Sequence, residues 1–337
     1  MQKARISDAE LVEAFSTRSV NKIYGGPLTL TNLRSILGTK GDVWVVRGDL
    51  APNVPNAKSF VSPYLIKRVE TDMHEHPDYP LFDGVGPSSL EAGHFYAEQN
   101  NKRIVFVVAK ELELPPRVTS WRNTEIIRAD GFAEWGYVRK MAQVLRTRTD
   151  IIPLHQAFYG AWAMAHVGNR VVYEFEKLGV RPDATVWVAA SGSCLWGIGR
   201  KLAERYSSET IMVTKTVSVN RADLKDEDKM RSRARDMLKQ YSIRNPSVPI
   251  SESDFKVFPL HMVLPSVALL RLVALTGKPG VDLVEKVAGE DRERVQAQLR
   301  TNGYNWTDTT AMALVKAIQF ANEGKNVVAM VYGKGKD

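Results

Sequence analysis

Pro182-Asp183-Ala184-Thr185-Val186-Trp187-Val188-Ala189-Ala190-Ser191-Gly192-Ser193-Cys194-Leu195-Trp196-Gly197-Ile198-Gly199-Arg200 carries the deciding pattern of this chain. An apolar run of strand length, Thr185–Ala190, feeds a turn of small residues, and a helical pattern follows. Such a turn aims several backbone N–H groups and the positive end of the helix at one point, which suits an anion such as phosphate. The small side chains of Ser191, Gly192 and Ser193 let the backbone come close to that anion, and the serine hydroxyls add donors. A plain strand-to-helix turn in any α/β protein has the same outline, so phosphate binding and simple chain reversal both stay open. The glycine spacing of a dinucleotide fingerprint and the Gly-Lys-Ser/Thr of a triphosphate loop are both missing.

Outward from this segment the same alternation recurs. Val43–Arg47, Arg103–Ala109, Glu209–Val219 and Val327–Tyr332 are further strand-like runs, each with helical spacing nearby. Phe132, Trp135, Val138, Met141, Ala142 and Leu145 share one helical face, and Val171–Leu178 reads the same way. Strands alternating with helices predict an α/β protein built on parallel sheets. Two proline joints, Leu114-Pro115-Pro116 and Ile151-Ile152-Pro153, interrupt the pattern, and the second sets a lobe boundary near residue 150. No internal repeat is visible, which argues against solenoids.

Length and composition agree. A chain of 337 residues, 44% hydrophobic and 25% charged, suits two lobes with sizeable cores. No stretch approaches the roughly 18 consecutive apolar residues of a membrane span, and the polar start Met1-Gln2-Lys3-Ala4-Arg5 lacks a signal-peptide core. A cytoplasmic protein is expected. The single cysteine, Cys194, excludes an internal disulfide and a thiolate metal cluster. His74-Glu75-His76 is the one close histidine pair, read as a solvated loop ending in Pro77-Asp78-Tyr79-Pro80, so no metal is expected.

The net charge of +8 would favour polyanions. Its largest source is the segment Lys225–Arg244, where Lys225, Lys229, Arg231, Arg233 and Arg235 mix with Asp226, Glu227, Asp228 and Asp236. A salt-laced exposed helix and a nucleic-acid patch are the alternatives.

Three further segments bear on chemistry. Gly84-Val85-Gly86-Pro87-Ser88-Ser89-Leu90-Glu91-Ala92-Gly93 precedes a strand-like run. The C-terminus reads Val327-Val328-Ala329-Met330-Val331-Tyr332-Gly333-Lys334-Gly335-Lys336-Asp337. Between Val43–Arg47 and the serine turn lies Asn56-Ala57-Lys58-Ser59-Phe60-Val61-Ser62-Pro63-Tyr64-Leu65.

Taken along the chain as Lys58, the turn at Ser88, the turn at Ser191 and the terminal strand, the segments resemble the pyridoxal-phosphate (PLP) family of threonine synthase, cysteine synthase and the tryptophan synthase β-chain, across residues 25–337. The resemblance implies a two-lobed, tryptophan synthase β-like α/β fold: residues 1–40 crossing to the large lobe, 41–150 forming the small lobe and 151–337 the large one. It assigns Lys58 the imine to the cofactor aldehyde, with Lys67 as fallback. The spacing from Lys58 to Tyr64-Leu65 resembles the pattern of aminocyclopropane-carboxylate deaminases and D-cysteine desulfhydrases more than the Ser-x-Lys-Asp-Arg of threonine synthase. Ser191, Gly192, Ser193 and Cys194 would hold the cofactor phosphate. Ser88, Ser89, Glu91 and Ala92 would form the turn that takes the substrate carboxylate, and Tyr332 would face the pyridine nitrogen, where threonine synthases have Thr. Leu90 and Glu91 stand where the family has Gly and Asn. An anionic Glu91 would repel the cofactor's phenolic oxygen unless a proton were shared or another charge intervened. His155, Gln156 and Tyr159 could line the cleft, although buried structural roles are the plainer reading.

The implied activity is β-elimination or β-replacement on an amino acid, by a homodimer. Two rivals stand beside it. One is a PLP-dependent lyase or decarboxylase acting on an amino-acid group attached to a nucleic acid, as in DNA modification, motivated by the positive charge. The other is a non-catalytic relative that has lost the cofactor, motivated by Glu91 and Tyr332.

Overall fold

The computed structural model describes residues 7–16, 28–51, 53–84, 86–114, 116–129, 136–188, 192–214 and 281–335. In chain order the elements are α1 (Asp8–Ser16), β1 (Leu30–Asn32), α2 (Arg34–Leu37), β2 (Val43–Arg47), α3 (Ser62–Arg68), α4 (Glu70–Glu75), β3 (Leu81–Gly84), α5 (Pro87–Gln99), β4 (Ile104–Ala109), β5 (Thr124–Ala129), α6 (Gly136–Thr147), β6 (Ile152–Pro153) and α7 (Gln156–Leu178). They continue with β7 (Ala184–Val188), a π-helical turn at Leu195–Gly199 running into α8 (Arg200–Tyr206), β8 (Glu209–Thr214), β9 (Leu283–Lys286), α9 (Gly289–Thr301), α10 (Asp308–Asn322) and β10 (Val327–Val331).

Two sheets organise the described residues. The larger runs β1-β2-β10-β7-β8-β9, parallel except for the β1–β2 pair, and the smaller runs β5-β4-β3-β6, parallel throughout. Parallel sheets are covered on both faces, so their inner strands read as continuous apolar runs. β4 and β10 follow this rule, with every residue buried, whereas the edge strand β5 keeps only Ala129 fully buried. The alternation expected from the sequence is thus observed, and the α/β class with it.

Strand pairing runs across the expected boundaries at residues 40 and 150. Val43–Arg47, expected to open the small lobe, pairs in parallel with β10, from Val327↔Val43 to Val331↔Arg47, and so lies inside the larger sheet. Ile152 and Pro153, expected beyond the boundary at 150, pair with Leu81 and Phe82 of the smaller sheet. In both cases a long-range pairing partner decides which sheet a strand joins, and neighbours in sequence do not specify it.

α7 explains the helical spacing at Val171–Leu178 as the end of a longer helix. Ala163, Met164, Val167, Val171 and Phe175 are buried along one stripe. Gly179, left-handed at φ 65°, closes it, and Val180 N–H bonds Phe175 C=O at 3.1 Å. Of the expected Phe132–Leu145 helix, α6 accounts for the part from Gly136, and Phe132 and Trp135 lie outside the described residues. The stretch read as a loop around His74 is helical as far as Glu75, and His76 stacks on Tyr79 with ring centroids 4.6 Å apart.

Candidate active site

Lys58 lies beside the carboxyl end of β10. It follows β2 in a short 3-10 turn, Ala57–Phe60, capped by Asn56, whose Oδ1 accepts from Lys58 N–H at 2.8 Å. The turn is laid against the end of β10: Ala57 N–H donates to Tyr332 C=O at 3.1 Å, and Asn56 bridges Gly333. Asn56 also reaches the other sheet, its Nδ2 donating to Ser88 C=O at 3.3 Å. Beneath the turn His166 Nε2 meets Phe60 C=O at 3.3 Å, and burial pushes its imidazole down to about 3, so it stays neutral.

The side chain of Lys58 is half-buried, and burial lowers its ammonium pKa against the opposing pull of Cys194 and Asp83. Among the described residues its amine makes no hydrogen bond and no ion pair. Lys67, the fallback, is engaged differently: its Nζ pairs with Glu70 at 2.6 Å.

After β7 the description resumes at Gly192, where a helix starts. Ser191 lies outside the described residues, and Gly192 takes φ 73°, the left-handed region that favours glycine. Trp196 N–H bonds Gly192 C=O at 2.9 Å, so the helix starts here. Ser193 is buried against α7, where a Cβ on Gly160 would sit 2.5 Å from its Oγ. Cys194 is buried beside Met330, Sγ to Sδ 3.5 Å, and burial pushes its thiol up to about 11. It is a neutral packing group rather than a thiolate.

Tyr332 follows β10. Its hydroxyl accepts from Val188 N–H at 2.9 Å, bridging β7 and β10 where their pairing ends. Burial raises its pKa, so the phenol keeps its proton.

The serine turn opens α5. Gly86 caps it, Pro87 supplies a first-turn residue with no N–H to satisfy, and Leu90 N–H closes on Gly86 C=O at 3.0 Å. Ser88 is exposed and Ser89 buried, while Leu90 and Ala92 are enclosed in the protein interior. Glu91 pairs with Arg117 at 2.6 Å, so the guanidinium is the charge that answers this carboxylate.

One residue escaped the sequence reading. Asp83, the third residue of β3, is 4% exposed, and its Oδ1 accepts from Gly84 N–H at 2.9 Å and Gln156 N–H at 3.4 Å. Burial pushes its carboxyl up to about 7, opposed by those amides and by Lys58. The only signal was an aspartate ending a short apolar run, one residue ahead of the segment that begins at Gly84. Gln156 is buried as expected. His155 takes φ 51° ahead of α7, and Tyr159 lies under the Arg68 guanidinium at 3.2 Å.

The basic residues Lys225, Lys229, Arg231, Arg233 and Arg235 lie outside the described residues. Among the described residues no cluster of metal-ligating side chains is found, and no helix is long and apolar enough to cross a membrane.

The architecture defines a class. The chain is similar in structure to a hydrogen sulfide-producing enzyme from Fusobacterium nucleatum, with TM-score 0.66, 13% identity, and coverage of 95% of this chain and 97% of that one. It is similar also to O-acetylserine sulfhydrylase isoform 3 from Entamoeba histolytica, with TM-score 0.64, 13% identity, and coverage of 99% and 90%. An O-acetylserine-dependent cystathionine β-synthase from Helicobacter pylori matches with TM-score 0.67, 14% identity, and coverage of 94% and 95%. At such identity the likeness establishes the fold, which is the tryptophan synthase β-like α/β fold expected from the sequence. No protein-family model matches the chain, and no curated protein does.

Proposed function

We propose that this chain is a PLP-dependent enzyme acting on an amino acid by β-elimination or β-replacement, with Lys58 as the lysine that carries the cofactor. The observation behind this reading is the Lys58 amine, made a weaker base by burial and left without a bonding partner among the described residues. Burial shifts that amine toward its neutral, nucleophilic form. The surrounding donor set suits the cofactor: Gly192 and Ser193 at a helix start for the phosphate, and a neutral Tyr332 phenol. The names of the structural neighbours, a sulfide producer, a sulfhydrylase and a β-synthase, point toward the same chemistry.

When bound, PLP supplies the electron sink for the carbon beside the substrate amino group. The protein supplies the rest. The amides of Gly192–Leu195 hold the phosphate, and the start of α5 at Ser88 and Ser89 receives the substrate carboxylate. The Lys58 amine would take and return the proton at the substrate α-carbon. Tyr332, kept neutral, would offer the cofactor a hydroxyl rather than a charge, which would favour elimination and replacement at the β-carbon. Arg117, paired with Glu91, would offset the charge of that carboxylate.

The test is whether purified protein takes up PLP with a yellow absorbance band and whether borohydride fixes the cofactor to Lys58. A chain that takes up none would be a scaffold.

A further inference from the structure

His166 on α7 has no exposed surface, and the chemistry so far gives it no task. Its ring sits among other rings: Phe15 of α1 lies 5.5 Å away, tilted by 50°, and Tyr64 of α3 lies nearly parallel at 6.4 Å. For packing alone an apolar side chain would serve better, because a buried polar group costs stability unless it is hydrogen-bonded. The bond that answers for it joins Nε2 to Phe60 C=O at 3.3 Å. A carbonyl only accepts, so Nε2 carries the hydrogen and donates it. Phe60 ends the turn Ala57–Phe60 that carries Lys58. The backbone bonds of that turn are Ser59 N–H to Asn56 C=O at 3.1 Å and Val61 N–H to Lys58 C=O at 2.9 Å, and short 3-10 turns are weak by themselves. The side chains of Asn56 and Ser59 tie down its entrance, and His166 grips its exit. α1 backs that grip: Leu11, Val12 and Phe15 are buried, and Asn169, one turn beyond His166, donates from Nδ2 to Ser16 Oγ at 2.9 Å.

We propose that His166 is a positioning residue for Lys58: its Nε2–H, donated to Phe60 C=O and backed by Phe15 of α1, fixes the point from which the lysine side chain leaves the turn. The inference rests on the assignment of Lys58 made above. A lysine nitrogen bonds to an aldehyde carbon only when the two are held within about 3–3.5 Å, and a backbone displacement of about 1 Å carries the amine out of that range. His166 is no proton carrier itself, because its Nε2 is committed to the carbonyl and its surface is closed. Burial keeps the imidazole neutral, which preserves the tautomer that the bond needs. α1, whose sequence carries no sign of chemistry, thereby becomes part of the support of the site.

Two substitutions separate the bond from the bulk. His166→Phe keeps a ring and loses the N–H, whereas His166→Gln keeps a donor near the Nε2 position. Hydrogen exchange, read by mass spectrometry on the full chain after dialysis against hydroxylamine, reports on the turn without cofactor. In His166→Phe the amides of the turn should exchange about five- to tenfold faster, the weight of one lost hydrogen bond, while those of β4 keep the parent's rate. In PLP-reconstituted protein the same variant should still hold cofactor, with a smaller share of it fixed to Lys58 by borohydride. His166→Gln should restore both readings. Unchanged exchange and linkage in His166→Phe, acceleration shared equally by β4, or a His166→Gln variant as impaired as His166→Phe would overturn the proposal. If His166→Phe does not fold, Phe15→Ala, which leaves the imidazole and strips its backing, is read in its place: faster exchange at the turn sustains the proposal, and the parent's rate overturns it. The Lys58 assignment fails separately, through borohydride labelling of another lysine, or of none, in the unaltered chain.

Discussion

Asn56 and Ser88 are joined across the two sheets by a hydrogen bond of 3.3 Å from the Asn56 amide to the Ser88 carbonyl. Because Asn56 also caps the turn that carries Lys58, one side chain sets the lysine against the start of α5. Asn56→Ala removes both bonds. It should cost about 1–2 kcal/mol of stability, as the loss of a helical cap does, and weaken PLP retention. Urea unfolding together with cofactor content checks this; a variant as stable as the parent, with full cofactor, would show that the bridge is idle.

Gly192 has φ 73°, which side chains rarely adopt. Gly192→Asp adds that strain and a negative charge at the proposed phosphate site, so PLP content should fall to nearly nothing. Undiminished content would move the phosphate elsewhere.

Gly160 on α7 faces Ser193, and an added methyl would crowd its hydroxyl. Gly160→Ala should therefore displace the turn and destabilise the protein by about 1–3 kcal/mol, the usual range for overpacking. Equilibrium unfolding gives the number.

Asp83 makes stability depend on pH with a defined sign. Its carboxyl rises from 3.8 to about 7 on folding, so the native state holds the proton more tightly than the unfolded chain. Its contribution is therefore most favourable below pH 3.8 and is lost as pH rises toward about 7. Asp83→Asn should gain stability relative to the parent at pH 8 and gain little or nothing at pH 5. An equal difference at both would mean the carboxyl titrates normally.

Much of this fold was legible because parallel inner strands are long apolar runs: β2, β4, β8 and β10 lie within the strand-like runs picked out in the sequence, and β7 overlaps its run, starting one residue earlier. β1, β5, β6 and β9 were not, being short or, like Thr124–Ala129, carrying polar residues at a sheet edge. β3 was hidden by its aspartate, and with it the Asp83 carboxyl. Which sheet β2 joins was also out of reach, since its partner β10 lies at the other end of the chain. Lys58 and the two turns could be named in advance through their order along the sequence. The Asn56 bridge and the Arg117 partner of Glu91 could not, because both depend on contacts between residues distant in sequence or on separate elements.

The most direct test is chemical. Borohydride reduction of the PLP-reconstituted chain, followed by peptide mapping, should place the cofactor on Lys58, and Lys58→Ala should lose the covalent link and nearly all turnover while leaving the fold intact. Cofactor on Lys67, whose amine is instead paired with Glu70, or on no lysine at all, would contradict this account.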